Sequence, residues 1–508
     1  MPSLPIVLVG YGPVGALLAA ALGQRGVRVI VLERETAPHA LPRAAHLDDE
    51  ALRILQGVGV AEAVVAAGRE TDGMDVTDGA GRVLLRARKA TARTRPHGHP
   101  PALLVHQPTV ERHLREAVAA CPSVEVRLGH AVERIEADEG GATLHVRHAD
   151  GGYAIRASWV VGCDGARSTV RETLGTPLLG SGLAQPWLVV DVLARAPLAT
   201  PERLVQVADP DGPRTVVPFP DPRRRWEWRL PPGADPEAEV TPEAVRRRLA
   251  TVVDPEAVVV ERAAVYTFRD LTAARWRRGR LLLAGDAAHQ MPPFLGQGLC
   301  AGLRDADALA WRLALVASGA ASPALLDAYE AERRPHVRRV TRLAARAGRF
   351  IGGMGALPRA RNALLRAAHC LPLLRQALLD LRGDIRPIRA VTAGRGVRRL
   401  HLVPQPTVRT PSGPTRLDDL LGSGFSILAR DDGAAWQALA ASPLGQALSL
   451  RVVPVGGAPA LVPLLQGADA VVIRPDRHLF GRYSRDQSPL AADDLARALY
   501  LQDVRTGA

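Results

Sequence analysis

The pattern of apolar and polar positions sets out the chain's elements before any motif is read. Residues 4–9, LPIVLV, are a β-branched-rich apolar run closed by glycine, which predicts a buried strand. Residues 13–25 place Leu17, Leu18, Ala21 and Leu22 on one side, a helical spacing. Residues 27–32, VRVIVL, predict a second buried strand and so a parallel β-α-β unit. Amphipathic spacing predicts helices over 49–66 and 108–120, with a β-rich insertion over 72–105 between them. Residues 124–163 predict antiparallel strands that lead into ASWVVGCDG (157–165). A second β-rich stretch covers 183–270, with PFPDPRRRWEWRLPPG (218–233) as a hairpin and TPEAVRRRLATVV (241–253) as a capped helix start. The α/β pattern returns at GRLLLAGD (279–286), and two long helices rich in Arg and Ala reach about residue 385. Beyond them SILAR, LRVVPV and AVVIRP alternate with helices, the pattern of a separate small α/β domain.

At 508 residues the chain is too long for one core, so two to four domains are expected. No apolar run reaches the ~20 residues of a membrane span. The opening MPSLPIVLVGYGPVG lacks a basic n-region and a cleavage site, so it reads as a strand and the location as cytoplasmic. A net charge of +13 could suggest nucleic acid. Lys89 is the only lysine, however, and the arginines are spread along the chain with no recognition helix or zinc spacing. Cys121, Cys163, Cys300 and Cys370 form no CxxC and read as reduced, mostly buried thiols. Cys300 is either a small apolar residue or a thiolate at a helix start.

Three glycine turns carry the chemistry. The first, GYGPVG, follows the opening strand and starts a helix. Gly10 makes the tight turn, Gly12 lets the backbone approach a pyrophosphate at the positive helix end, and Gly15 lets helix and strand pack closely. Pro13 and Val14 share that turn; Glu33, with Arg34 beside it, closes the second strand and accepts hydrogen bonds from ribose hydroxyls. The fingerprint leaves NAD or FAD open. The second turn, CDGARSTVR (163–171), holds Asp164 and Gly165. The third, LAGDAAHQMPPFLGQG (283–298), holds Asp286, two prolines, Gly296 and Gly298. Turns at three strand ends suggest a long ligand touched in several places, and FAD is longer than NAD. Asp286 suits ribityl hydroxyls. The helix from Gly298 would aim its N-terminus, worth about +0.5 charge, at the reduced flavin. The prolines keep the preceding loop non-helical and rigid.

With GYGPVG, CDGARS and GDAAHQMPPFLGQG in that order, the chain resembles class A flavoprotein aromatic hydroxylases, most of all the 3-(3-hydroxyphenyl)propionate hydroxylases. PRAAHLDDEALRIL (42–55), HQPTVERHL (106–114) and VVIRPDRHLFGRY (471–483) add to the likeness, which covers essentially the whole chain. The resemblance implies an α/β fold. A Rossmann-like FAD-binding domain would take 1–72, 103–182 and 276–345, and an inserted β-rich substrate domain 73–102 and 183–275. A helical linker over 346–392 and a thioredoxin-like C-terminal domain over 393–508, redox-silent without a CxxC, would complete it. The resemblance also implies bound FAD, NAD(P)H and O2 as co-substrates and a small aromatic substrate; the charge spread and apolar runs above leave no nucleic-acid or membrane partner expected, and a homodimer stays open. It puts Arg43 and Gln107 near the FAD phosphates and ribose, and Asp164 in a turn serving FAD and NAD(P)H. Pro293 to Leu299, Phe294 among them as a further substrate contact, would line the flavin ring, and the substrate would lie on the sheet face bearing Val217, Phe219 and Trp228. Tyr266, in VYTF, is a candidate phenol contact, with core packing as its plain alternative.

The family reaction hydroxylates an electron-rich carbon ortho or para to a phenol through a C4a-hydroperoxyflavin, in a site that excludes water and helps the phenol toward phenolate. His46 is the candidate base, with a histidine satisfied by backbone contacts as the plain alternative. His289 has a similar claim by motif, against a loop-bracing part. Baeyer–Villiger or other oxygenation of a polycyclic or polyketide substrate stays open on the same scaffold. WEWRLP (226–231) resembles the WxWxIP stretch of flavin-dependent halogenases, whose lysine would have to be Lys89. A flavin-binding scaffold without turnover is opposed by the intact Gly10, Gly12, Gly15, Glu33, Asp164 and Asp286.

Overall fold

The computed structural model describes residues 4–38, 42–88, 95–199, 201, 203–379, 388–411, 413–431, 433–455 and 458–501. Ile6–Val9 runs at the centre of a six-stranded sheet, parallel to Val29–Glu33 on one side and Trp159–Gly162 on the other. Leu281–Leu283 lies beyond Trp159–Gly162, and Val124–Leu128 beyond Val29–Glu33. The central strands are apolar on both faces, as a covered parallel sheet requires. The helices Pro13–Gly23 and Gly298–Ala317 pack on each other beside this sheet.

The helix expected over 49–66 is two helices, Asp49–Gly57 and Ala61–Ala66. Gly59 takes φ +81° between them, a conformation that ends a helix. The two long helices are Gly298–Ala317 and Leu325–Ile351, followed by Ala356–Ala368 and Pro372–Leu379. Leu325–Ile351 runs through the boundary expected at 345/346, and the strand Leu178–Ala194 through that at 182/183.

The β-rich segments form one eight-stranded sheet. Its core is the antiparallel set Val258–Ala273, Leu178–Ala194, Arg223–Arg229 and Arg214–Val217. The expected hairpin is the pair Arg214–Val217 and Arg223–Arg229. One face, with Leu188, Val190, Val216, Trp226 and Trp228, packs on Val245 and Leu249 of the helix Pro242–Leu249. His289 and Gln290 pair with Thr272 and Leu271, so the third glycine turn supplies an edge of this sheet.

Toward the C-terminus, Ser426–Ala429 is parallel to Arg451–Pro454 and antiparallel to Ala470–Ile473, which pairs in turn with Leu479–Tyr483. Its core is continuous with the rest: Trp311 and Leu325 pack with Phe425, Trp436 and Phe480. VVIRPDRHLFGRY is the seam. Buried Arg474 donates to Glu332 (3.1 Å), which also accepts from Arg312 Nη2 (2.6 Å). Burial pushes Glu332 up, but Arg474 and Arg312 outweigh it and hold its pKa at about 2. Among the described residues no helix is long and apolar enough to cross a membrane.

Candidate functional site

The three glycine turns meet in one cleft. A Cβ on Gly10 (φ +101°) would lie 2.5 Å from the Cys163 carbonyl oxygen, and one on Gly15 would lie 2.1 Å from that of Gly10. The first and second turns therefore touch backbone to backbone. Val14 ties the first turn to the third, since a Cβ on Gly285 or Gly302 would come within 2.9 or 2.6 Å of its Cγ2. The half-buried Val14 side chain thus packs between the two turns. Pro13 opens the helix behind Gly12, which caps it without a side-chain hydrogen bond. Gln297, ahead of Gly298, does likewise for Gly298–Ala317. A Cβ on Gly12 or Gly298 would meet no protein atom within 4 Å. Both helix starts therefore present free N–H groups on open backbone, a setting for an anion or an electron-rich ring.

Acidic groups line the rest of the cleft. Glu33 accepts from the Tyr11 N–H (2.7 Å) and the Glu35 N–H (2.9 Å), which leaves each oxygen a further lone pair. Arg34 is exposed and pairs with Glu35 (3.1 Å). Asp164 Oδ2 accepts from the Val170 N–H at 3.3 Å, while its buried Oδ1 has no partner among the described residues. Burial pushes the Asp164 pKa up. Gly165, next in the turn, has φ +76°. Asp286 keeps exposed surface, yet the surrounding protein raises its pKa, with His289 and Arg43 opposing. Surface together with desolvation places a carboxylate on a cleft floor. These groups fit a bound FAD: free N–H groups for the pyrophosphate, and acceptors for ribose and ribityl hydroxyls. Gln107 holds the cleft's rim. Its Oε1 accepts from the Ala44 N–H (2.6 Å) and Arg43 N–H (3.2 Å) and its Nε2 donates to Glu111 (2.7 Å), so it braces the segment that carries exposed Arg43.

His46 lies against the third turn. Its Nδ1 is 3.2 Å from the Gly296 carbonyl, which can only accept, so Nδ1 carries the hydrogen in that contact. Gly296 (φ +62°) leaves no room for a Cβ, which would sit 3.0 Å from the His46 ring. A buried ion cluster fixes both sides. Arg304 donates to Asp48 (2.6 Å), Glu50 (2.8 Å) and the Gln297 side chain (3.2 Å), joining the His46 strand to the loop. Cys300 is buried under the loop, its Sγ 3.7 Å from the His46 and Gly296 carbonyl oxygens, which matches a small apolar residue. His289 is buried on Trp276, with Nε2 2.7 Å from Asp305, and it braces the turn. Pro293 is exposed at the loop's rim and Leu299 is half-buried.

The expected substrate face needs correcting at Trp228. Val217 pairs with Arg225 and Val216 with Trp226, so Val217 and Trp228 point to opposite faces. Trp228, 4% exposed, packs toward the helix Pro242–Leu249 and away from the cleft. Val217 and Phe219 pack with Leu104 and Ala45, beside the His46 strand. Phe294 is 2% exposed and packs with Trp187, Phe268 and Ile351, so it backs the loop. Tyr266 remains exposed, its hydroxyl accepting from Arg262 (3.1 Å). Sequence reasoning missed Asp191, Arg225, Glu227 and Arg262, which share the cleft-side face. For Arg225 and Glu227, alternation with Trp226 and Trp228 in RRRWEWR was the available signal; Asp191 and Arg262 lie on other strands. Both halogenase tryptophans are core residues, and Lys89 lies outside the described residues. Cavities of ≈220, 640 and 590 Å³ lie along the seam with the C-terminal segment, away from the glycine turns; donor groups and open backbone identify the site, not volume.

Comparison with known proteins agrees with this geometry. The FAD binding domain family matches residues 3–344, and the aromatic-ring hydroxylase C-terminal family matches residues 400–500. A Rhodococcus jostii protein named a probable NADH-specific resorcinol 4-hydroxylase is 34% identical over 96% of this chain and 93% of its own. A 3-(3-hydroxy-phenyl)propionate/3-hydroxycinnamic acid hydroxylase of Burkholderia vietnamiensis is 35% identical over 93% and 92%. The solved structure of aklavinone-11 hydroxylase with FAD and aklavinone aligns with a TM-score of 0.82 at 25% identity, covering 98% of this chain and 99% of the other.

Proposed function

The chain belongs to the FAD-dependent aromatic-ring hydroxylases, and from that premise we propose that its own substrate is a single-ring phenol bearing a second hydroxyl or a carboxylate. It is a flavoprotein monooxygenase that uses FAD and NAD(P)H. FAD supplies the oxygen activation; the chain's residues bind, orient, exclude water and handle the substrate proton. The observation that carries this is the joining of three glycine turns into one cleft under a sheet face lined with buried polar groups. In this proposal Gly10, Gly12, Pro13, Gly15, Glu33, Asp164, Gly165 and Asp286 hold FAD, with Arg43 at its rim. Gly296, Gly298 and Leu299 border the flavin ring. His46 stands on the flavin-side wall, and Tyr266 meets the substrate.

We also propose the division into FAD-binding, substrate and C-terminal domains. The six-stranded and eight-stranded sheets support the first two. The order Arg451–Pro454, Ser426–Ala429, Ala470–Ile473, Leu479–Tyr483, with the first pair parallel, supports a thioredoxin-like third. The Rhodococcus relative's name supports NADH. A polycyclic phenol is the second reading, supported by the likeness to aklavinone-11 hydroxylase.

A screen of NADH and NADPH oxidation over phenols of graded size, with peroxide measured alongside, tests the assignment. Resorcinol or 3-(3-hydroxyphenyl)propionate is expected to speed NADH oxidation and give hydroxylated product with little peroxide. Product from polycyclic phenols alone would move the assignment to the second reading. His46→Ala is expected to lower product formation roughly tenfold by loosening the loop wall, with FAD content intact. Unchanged turnover and product per NADH would remove His46 from the site.

A further inference from the structure

The cleft-side face of the eight-stranded sheet carries a charge cluster that cofactor binding does not use. Trp226 and Trp228 face the helix Pro242–Leu249, so Arg225, Glu227 and Arg229 face the other way. Asp191, beside Arg225 in register, accepts from its Nε (2.6 Å) and Nη2 (3.1 Å). Arg262, opposite Asp191 on the next strand, pairs with it at 2.6 Å. Asp191 is therefore saturated by two guanidiniums. Glu227 is not. It is 6% exposed, and its nearest cationic atom, Arg225 Nη1, is 3.8 Å away, beyond hydrogen-bond distance. Among the described residues no group donates a hydrogen bond to it. Burial, then the opposing effect of Arg225, then Asp191, leave its pKa raised, with Arg262 also opposing.

Register shows where this carboxyl points. The Arg225 row touches one wall of the site, since Arg225 donates to the carbonyls of Pro42 (2.7 Å) and Arg43 (2.9 Å). The Arg229 row touches another, since its partner Trp187 packs edge-on against Phe294 of the flavin loop (5.4 Å). Glu227 lies in the row between, flanked by Val189 and Thr215. A carboxyl this close to fully buried, with no donor among the described residues, leaves its oxygens free to accept a hydrogen bond from a ligand in the cleft.

We propose that Glu227 takes the proton from the substrate's phenolic hydroxyl, which rests on reading the site as a phenol hydroxylase. A ring carbon turned to the flavin loop leaves a para hydroxyl turned to the sheet. The phenol O–H bond breaks and an O–H bond forms on Glu227. The negative charge moves from the carboxylate to the phenolate oxygen and stays opposite Arg225 and Arg262. Two guanidiniums face two anions before and after, so the transfer builds no net charge in the cluster. The Tyr266 hydroxyl, held by Arg262, keeps its own hydrogen to donate to the phenolate. Phenolate formation enriches the ortho and para carbons, where the reaction occurs.

The test compares wild-type holoenzyme with Glu227→Gln, Glu227→Asp and His46→Ala, on resorcinol and ring-fluorinated resorcinols of increasing acidity. With resorcinol, Glu227→Gln is expected to lose about 10²-fold or more in hydroxylation, a general-base effect. The loss should shrink as the phenol becomes ionised without help, and Glu227→Asp should recover part of it. The acid limb of kcat/KM, above the ordinary glutamate range, should vanish in Glu227→Gln while flavin absorbance per protein stays unchanged. Equal loss on every phenol, or loss of flavin with activity, would make Glu227 structural and overturn the proposal. Loss of the acid limb in His46→Ala instead would hand the proton to His46. Wild type that oxidises NADH with these phenols but yields only peroxide would sink the phenol reading itself, before any variant is compared.

Discussion

Arg304→Met is expected to cost about 3–5 kcal/mol of stability, the penalty for breaking a buried ion pair from one side. Arg304 is 4% exposed and serves Asp48, Glu50 and the Gln297 side chain together. Methionine keeps most of the length, so the cost is two buried carboxyls left without their cation, not a cavity. Burial lowers the Arg304 pKa, but Asp48 and Glu50 outweigh it and raise it well above the usual value, so charge binding wins over desolvation. The damage should reach the site. Asp48 ends the His46 strand and caps the helix Asp49–Gly57 through the Ala51 N–H (3.0 Å), and Gln297 precedes the helix at Gly298. Denaturant midpoints of the two proteins measure the effect. A difference under about 1 kcal/mol, the scale of a surface pair, would show that the cluster does not hold the loop.

Gly15→Val is expected to abolish FAD binding and most soluble expression. The new Cβ would lie 2.1 Å from the Gly10 carbonyl oxygen, and Gly10 has no room to give way toward Cys163 and Asp164, where even a Cβ of its own would not fit. All of these are backbone atoms, so no side chain can turn aside, and the helix would have to leave the strand. Gly12→Ala is the informative control. Its φ of −70° suits any residue and its Cβ meets no protein atom. The apo fold should stay within about 1 kcal/mol of wild type, as for an ordinary exposed change. FAD affinity should nevertheless fall at least tenfold, because the methyl group stands where the pyrophosphate approaches the backbone. Flavin absorbance after purification, with titration of added FAD, separates the two variants. Full FAD binding in Gly12→Ala would place the pyrophosphate elsewhere.

These contrasts mark what was legible along the chain. GYGPVG could be read because its turn and helix start answer demands of backbone within a few residues, as in the approach of Gly15 to Gly10, whereas the approach of Gly10 to Cys163 joins turns far apart in the chain. Alternation showed that Trp226 and Trp228 share a side, as they do in the core. It could not show which side, because that depends on where the helix Pro242–Leu249 packs. Only that packing puts Trp228 in the core and turns Glu227, between the two tryptophans, toward the cleft. Gln107 sits in a matching motif, and only the fold shows that its amide holds Arg43, Ala44 and Glu111.

The sequence by itself determined the cofactor class and the run of elements, since glycine turns, apolar strands and helix starts are local and repeat a known physical need. Only the tertiary structure decided which charged groups share a space. Asp191, Arg225 and Arg262 come from three strands and Glu227 lies among them; Arg304 joins the His46 strand to a loop some 250 positions later in the chain. No spacing encodes such meetings. They arise when buried charges must find partners across the fold, and of the two carboxyls in the sheet-face cluster Glu227 is the one left without a donor among the described residues once Asp191 is paired.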